Sequence, residues 1–188
     1  MSSASFQVLA LPAPVFQPLF ALDAATLAQR HVQRIRVDGP GHLCRVTLDE
    51  IPVGRDLLLL SHEHHGVASP YRAAGPIFVG VDAETAQLAP GEVPEAMRGG
   101  LFSIKAYDSQ GDIVAADLVA GTALEDGIGR FLSPAGVDYL HIHFARRGCY
   151  VLPGRTRRLN ADARVRRPGP SRSPGRTSPR HRPSPGRG

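Results

Sequence analysis

The sequence lacks the features that mark extracellular and membrane-spanning proteins. It has two cysteines, Cys44 and Cys149, which are too few for a disulfide scaffold. No apolar run approaches the roughly 20 residues needed to cross a bilayer. The first basic residue is Arg30, so the charged start of a secretory signal is missing. We therefore expect a cytoplasmic protein with reduced cysteines and no membrane association.

The signature motifs of several enzyme classes are also missing. There is no phosphate-binding Gly-Lys-Ser or Gly-Lys-Thr, no Gly-x-Ser-x-Gly elbow, no Cys-x-x-Cys pair and no dinucleotide fingerprint. The sequence His-Glu-His-His-Gly at 62–66 is not a zincin motif, because Gly66 stands where the second histidine is required. These absences count against nucleotide hydrolysis, lipase-like chemistry and redox exchange.

The basic charge of the chain is concentrated at its end. Residues 155–188 contain eleven arginines and one acid, a net charge of +10, so residues 1–154 carry −5 of the total of +5. The segment is rich in Arg, Pro, Ser and Gly, a composition that buries too little apolar surface to offset chain entropy. We expect an α+β domain over residues 1–154 and a disordered tail over residues 155–188.

The arginine-rich tail is the only candidate for nucleic-acid binding. Its charge could attract phosphates through counterion release. However, it has no lysine and no aromatic residue on which a base could stack. The same composition is typical of a GC-rich coding region that is read past its normal end or out of frame. Weak nucleic-acid association through the tail is therefore kept as a secondary hypothesis.

The apolar patterns predict strands and about two helices, without a regular βαβ alternation. The predicted strands cover residues 6–11, 32–37, 43–48, 57–64, 77–79, 101–108, 113–119 and 137–145, and the predicted helices cover residues 24–31 and 122–132. The strands at 101–108 and 113–119 are predicted to pair as a β-hairpin with a loop of about five residues. Asp23 is placed to cap the first helix, and Thr122 with Glu125 forms a capping box for the second. Together the patterns predict a single α+β domain with a largely antiparallel sheet.

Histidines lie at the exits of two apolar runs that are far apart in the chain. One run leads into His64; the other contains His141 and His143, whose i, i+2 spacing on a strand places both side chains on one face about 7 Å apart. We expect two strands of one sheet to bring the three histidines to a common edge, where they could bind a divalent metal such as Zn²⁺. His42 and His65 are assigned to solvent.

The sequence leaves the role of these side chains open. The histidines are structural or solvated residues, which is the interpretation that the pattern favours, or metal ligands, or acid–base groups without a metal. For acid–base catalysis the candidates are His64 and His141. Cys149 follows two arginines, which can lower a thiol pKa, so it is a candidate nucleophile if a histidine lies within hydrogen-bond reach. Its alternative role is that of a small residue that starts a terminal strand, whereas Cys44 is assigned to packing.

Arginines near rigid loops suggest a site for an anion. Arg72 stands beside Tyr71 in a proline-stiffened loop, and a planar guanidinium suits a carboxylate or a phosphate. The alternative for Arg72 is a structural salt bridge, for instance to Glu63. Arg146 is a second candidate for anion binding. Arg146 and Arg147 are expected on a strand, where neighbouring side chains point to opposite faces of the sheet. Only one of the two should therefore serve a given pocket.

Several short motifs in succession resemble one known family. The motifs are Cys-Arg-Val at 44–46, Glu-His at 63–64, Ser-Pro-Tyr-Arg at 69–72, Gly-Pro-Ile-Phe-Val at 75–79, Lys-Ala-Tyr-Asp at 105–108 and His-Ile-His-Phe-Ala-Arg-Arg-Gly-Cys at 141–149. In this order they resemble the uncharacterised bacterial family named domain of unknown function 1203 (DUF1203), over roughly residues 5–152. The resemblance implies a small bacterial domain with no established activity. His62 stands where the family is expected to have an aromatic residue, so His62 is not assigned to a shared function.

Two functional hypotheses follow from the sequence. The first is a small-molecule site that holds an anionic group through Arg72 or Arg146 and uses a histidine as acid–base group or metal ligand. The second is a non-catalytic binding or interaction module in which the His, Arg and Cys cluster is structural. Whether the protein is an enzyme, what its substrate is and which oligomer it forms stay open at this stage.

Overall fold

The computed structural model describes residues 6–156, which form two antiparallel sheets and three short helices. The strands are β1 (Phe6–Val8), β2 (Gln33–Arg36), β3 (Asp56–His65), β4 (Ala73–Gly80), β5 (Leu101–Tyr107), β6 (Ile113–Ala120), β7 (Tyr139–Phe144) and β8 (Tyr150–Thr156). The helices are α1 (Gln17–Phe20), α2 (Ala24–Gln29) and α3 (Leu124–Leu132), with three 3₁₀ turns, Ala13–Val15, Glu95–Met97 and Gly121–Ala123. The predicted α+β class with a largely antiparallel arrangement is confirmed.

The strands are divided between a five-stranded and a three-stranded sheet. The larger sheet has the order β1-β8-β7-β5-β6 and the smaller one β2-β3-β4, and every strand pair in both is antiparallel. The predicted hairpin is the β5–β6 pair, whose loop is held by the Asp108 carboxylate accepting from the backbone N–H groups of Gln110 and Asp112.

The last strand extends beyond the predicted end of the domain. Arg155 and Thr156, which the sequence placed in the tail, belong to β8 and pair with β1. The rest of the predicted tail lies outside the described residues. β8 contains Pro153, whose carbonyl accepts from the N–H of Leu9 on the β1 side, just past the end of β1. Because the N and O of a strand residue face the same neighbour, the missing proline N–H costs no hydrogen bond to β7.

Three hydrophobic clusters hold these elements together. The largest lies between α3 and one face of the five-stranded sheet and includes Ile104, Ile128 and Ile142. A second joins the three-stranded sheet to Tyr150, and a third packs α2 against Leu58. No helix among residues 6–156 has the length and apolar character needed to span a membrane.

The helix caps follow the sequence in one case and depart from it in the other. Asp23 caps α2 by accepting from the N–H of Thr26 at 2.7 Å. The capping box of Thr122 and Glu125 is wrong, because the chain enters α3 through a 3₁₀ turn and Glu125 forms an ion pair with Arg98 instead. Glycine is unfavourable inside a helix, but at position 127 in α3 a Cβ atom would lie only 3.0 Å from the side chain of Val119. The absence of a Cβ therefore allows the close packing of α3 on β6.

The predicted strand over residues 43–48 is also wrong. The segment is a buried turn with single bridges from Leu43 to Glu50 and from Cys44 to Phe78. Its apolar residues are buried as predicted, and the left-handed φ of 59° at Leu48 ends any extended run. Cys44 packs at 0% exposure, and its sulfur accepts three backbone N–H groups at 3.3–3.4 Å.

Candidate metal centre

The end of β3 and the middle of β7 meet where the two sheets face each other. β3 belongs to the three-stranded sheet and β7 to the five-stranded sheet, so the expectation of two strands in one sheet is wrong. The proximity itself is present: His64, His141 and His143 each offer a ring nitrogen, and the three nitrogens lie within 4.8 Å of one another. The contact is made across the sheets rather than along a shared edge.

Alternation along β7 explains why both of its histidines face this contact. His141 and His143 point to one face, while Leu140 and Ile142 point to the other and enter the core under α3. The ring centroids of His141 and His143 lie 6.2 Å apart, and the ring centroid of His64 lies 5.8 Å from that of His141 and 5.3 Å from that of His143. The three imidazoles therefore form one cluster, which is called the histidine triad below.

One nitrogen of each triad histidine is buried without a hydrogen-bond partner among the described residues. These atoms are Nδ1 of His64, Nδ1 of His141 and Nε2 of His143. His143 donates from Nδ1 to the carbonyl of Gly148 at 3.0 Å, so its Nε2 carries a lone pair. A buried polar atom without a partner costs about 1–3 kcal/mol. Three such atoms in one cluster are therefore an expensive arrangement for a purely structural role.

Burial keeps the triad rings neutral. Desolvation, with smaller repulsion from neighbouring histidines and Lys105, lowers the pKa of His141 to about 3 and that of His143 to about 4. The pKa of His64 is also lowered, mainly by desolvation. Neutral imidazole is the form that binds a metal ion, so the rings are in that form at neutral pH.

Aromatic side chains enclose the histidine triad. The ring of Tyr150 is stacked on His64 at 4.6 Å and meets the other two rings at 5.2 and 5.7 Å. Tyr107 packs against His141 at 4.9 Å. Tyr150 was not predicted as part of the site, because Pro153 and Gly154 in β8 are typical of loops. Tyr150 lies opposite His143 in the β7–β8 register, a pairing that no local sequence pattern indicates.

His65 is not exposed to solvent as the sequence suggested. It is 2% exposed, and both of its ring nitrogens are bonded, Nδ1 to the carbonyl of Tyr71 and Nε2 to the hydroxyl of Tyr139, each at 2.7 Å. A register shift after Glu63 turns His65 away from the alternation of β3 and toward the five-stranded sheet. With no free nitrogen, His65 is a structural neighbour of the triad.

The remaining candidate residues lie outside the triad. Arg72 is paired with Glu63, with nitrogen–oxygen distances of 2.6 and 2.7 Å, which is the structural alternative considered above. The side chain of Tyr71 is largely exposed. Arg146 and Cys149 line a separate cavity, and the Cys149 thiol donates a long hydrogen bond to the carbonyl of Arg147, at 3.9 Å, rather than to a histidine.

The fold and the triad define a class of α+β protein in which two antiparallel sheets enclose a buried cluster of three histidines. Residues 41–156 match the family model described as protein of unknown function (DUF1203), and the chain belongs to this family. The matched region contains all three triad histidines. Comparison with curated proteins and comparison with solved structures gave no match.

Proposed function

We propose that the protein binds a divalent transition-metal ion through His64, His141 and His143, and that the ion is Zn²⁺. Two observations carry this proposal: each of the three imidazoles has a buried nitrogen without a hydrogen-bond partner among residues 6–156, and one ring nitrogen from each lies within 4.8 Å of the others. Imidazole is a preferred ligand of zinc. A hydrogen bond from the other ring nitrogen, such as the one from His143 to the carbonyl of Gly148, fixes the orientation of a ligating ring.

The dimensions of the triad fit an ion after a small closure. A tetrahedral ion at about 2.0–2.1 Å from each nitrogen holds its ligands about 3.3 Å apart. The triad nitrogens span up to 4.8 Å, so binding requires them to approach by about 1.5 Å. Rotation of the side chain of His64, which is only partly buried, supplies this movement more readily than the strand backbone does.

The ligand set also indicates what the ion does. Three neutral imidazoles leave the ion its full positive charge and one open coordination position. A zinc ion in such a site lowers the pKa of a bound water and polarises a bound carbonyl or phosphoryl oxygen. We therefore propose a site that binds a small molecule at the metal, with Tyr150 and Tyr107 as its apolar walls.

The test is metal binding to the purified full-length chain. We expect one Zn²⁺ per chain by elemental analysis, and a tetrahedral visible spectrum with Co²⁺. His64→Ala, His141→Ala and His143→Ala should each reduce the affinity at least tenfold. His42→Gln, which changes a histidine outside the triad, should leave it unchanged. Equal binding by all four variants would contradict the proposal.

A scaffold without metal is the rival function. It is favoured by His65, which shows that a buried histidine in this region can be fully satisfied by the protein alone. If the triad is such a scaffold, purified protein should contain no metal, Zn²⁺ should not raise the melting temperature, and His141→Ala should lower it strongly.

We further propose a bacterial, cytoplasmic location. The location is supported by the two free thiols, of which Cys44 is buried and Cys149 partly exposed, since thiols persist in a reducing compartment. Cell fractionation tests it.

Nucleic-acid association through the basic tail stays a secondary proposal, supported by charge alone, and predicts weak binding that is lost by about 0.2 M salt.

A further inference from the structure

A second group of polar side chains surrounds Arg45, a residue that was not predicted to have a role. Arg45 is 2% exposed, yet its guanidinium has no carboxylate partner among the described residues. A buried charge is normally paired or coordinated. Arg45 instead donates from Nε to the carbonyl of Tyr150 at 2.9 Å and from Nη1 to the carbonyl of Leu43.

The guanidinium of Arg45 is held in one position. Its carbon lies 5.3 Å from the centre of the Phe144 ring and 6.0 Å from that of Phe78, so aromatic faces stabilise the cation. Two of its five N–H groups are used by the two carbonyls, and the others have no protein acceptor within residues 6–156. Arg45 is therefore an oriented donor with unused capacity.

Arg45 lines a cavity of about 570 Å³ that concentrates positive charge. Arg146 and Arg147 both line this cavity. The sequence predicted them on a strand with their side chains on opposite faces, but they lie in the turn between β7 and β8. Neither arginine is ion-paired with a described residue, and none of the described residues that line the cavity is acidic. The three guanidinium groups around this cavity repel one another, because no carboxylate among the described lining residues offsets their charge. A bound anion would remove this electrostatic repulsion.

Apart from the arginines, His42 and Cys149, the side chains that line the cavity are apolar. They include Leu59, Ile77, Phe78 and Phe144. Desolvation lowers the pKa of Arg45 to about 10, which shows how strongly these surroundings disfavour an unpaired charge. A ligand that suits both parts of the lining has an apolar body and one anionic end.

We propose that this cavity binds a small organic anion, with its carboxylate or phosphate on Arg45, Arg146 and Arg147 and its apolar body against Phe78 and Phe144. A guanidinium fork matches either anion in bidentate geometry. None of the triad histidines lines the cavity, so the site is distinct from the proposed metal centre and does not depend on it.

The binding test uses calorimetric titration of the full-length chain with hexanoate. We expect measurable binding that is weakened about tenfold by Arg146→Ala or Arg147→Ala, both of which are exposed residues that the fold does not need. Arg45→Lys keeps the charge but loses the fork and should weaken binding at least as much. His141→Ala should bind hexanoate normally, which separates this site from the metal centre.

Three controls make the test decisive. Because the tail is rich in arginine, Arg172→Ala with Arg176→Ala must leave the affinity unchanged. Neutral 1-hexanol should bind at least tenfold more weakly than hexanoate, and hexyl phosphate in place of hexanoate identifies which anionic group is preferred. Absence of hexanoate binding, equal binding of hexanol, or equal loss in the tail variant overturns the proposal.

Cys149 provides an independent readout in the same cavity. It is partly exposed and lines the cavity, whereas Cys44 is fully buried. At a hexanoate concentration a few times the wild-type dissociation constant, alkylation of Cys149 by iodoacetamide should slow severalfold in the wild-type chain and only slightly in Arg45→Lys. Equal protection of the two chains at this concentration would show that Arg45 does not hold the anion and would contradict the proposal.

Discussion

The two faces of β7 are buried to a similar degree, but only one of them contains polar atoms that need hydrogen-bond partners. Leu140 and Ile142 are 0% exposed and pack under α3, while His141 and His143 are 4% exposed and face the three-stranded sheet. The first face is stabilised by apolar contact alone. The second carries ring nitrogens that no described residue satisfies. Similar burial therefore accompanies apolar packing on one side of the strand and, on the other, unsatisfied nitrogens that fit the proposed metal centre.

The largest effect is expected on the apolar face. Ile142→Ala should lower the free energy of unfolding by about 2–5 kcal/mol, because it leaves a cavity in the core under α3. Urea denaturation of the metal-free chain measures this loss, and Ile142→Val, with an expected loss of about 1 kcal/mol, is the matched control. A loss below that of the valine variant would show that this face is loosely packed.

The histidine face should respond in the opposite way. His141→Leu replaces an unsatisfied ring by an apolar side chain of similar size, so the metal-free protein should be unchanged or more stable by about 1 kcal/mol. The same variant should lose the stabilisation by Zn²⁺, which is about 2.7 kcal/mol when free metal exceeds the dissociation constant a hundredfold. Thermal unfolding with and without Zn²⁺ measures both. Strong destabilisation of the metal-free variant would favour the structural scaffold.

The pH dependence sharpens the comparison further. The pKa values of His141 and His143 are lowered from about 6.5 in the unfolded chain to about 3 and about 4, so the unfolded state binds protons first. The free energy of unfolding is therefore unaffected by these groups above pH 6.5, and it decreases as the pH falls from 6.5 through about 4 for His143 and about 3 for His141. At pH 5 the loss should be on the order of 1–2 kcal/mol for each histidine.

Carboxylates also titrate in this range, so the informative quantity is a difference. The free energy of unfolding of the metal-free wild type should fall more steeply between pH 7 and 5 than that of the double variant His141→Leu, His143→Leu. Parallel curves for the two chains would show that the triad histidines do not exchange protons on unfolding.

Much of the fold could be predicted because its signals are local. The hairpin of β5 and β6, the cap at Asp23 and the alternation of β7 depend on neighbouring residues, and the structure confirms them. The segment 43–48 could not be assigned correctly, because its apolar residues are buried by a turn rather than by a strand. Local pattern gives the burial of a residue more reliably than its backbone state.

The candidate sites depended on contacts between distant residues. The sequence identified the triad histidines but placed their strands in one sheet, because strand periodicity contains no information on which strands pair. It missed Tyr150 and Arg45, whose positions result from long-range packing. It also favoured Arg72, which the structure pairs with Glu63, over Arg45, because an arginine in a buried turn has no local signature.

The smallest effect is expected at Gly148, which bonds to His143 and lies in the sequence between Arg147 and Cys149 of the proposed anion site. Its φ of 72° is unfavourable for other residues, and its carbonyl orients His143. Gly148→Ala should therefore cost about 1 kcal/mol of stability through backbone strain and also weaken Zn²⁺ binding severalfold. Gly136→Ala, at a φ of 97° and away from the triad, is the matched control with strain alone. If the two variants bind Zn²⁺ equally well, the carbonyl of Gly148 does not position a metal ligand, and the histidine face differs from the apolar face only in its unsatisfied nitrogens.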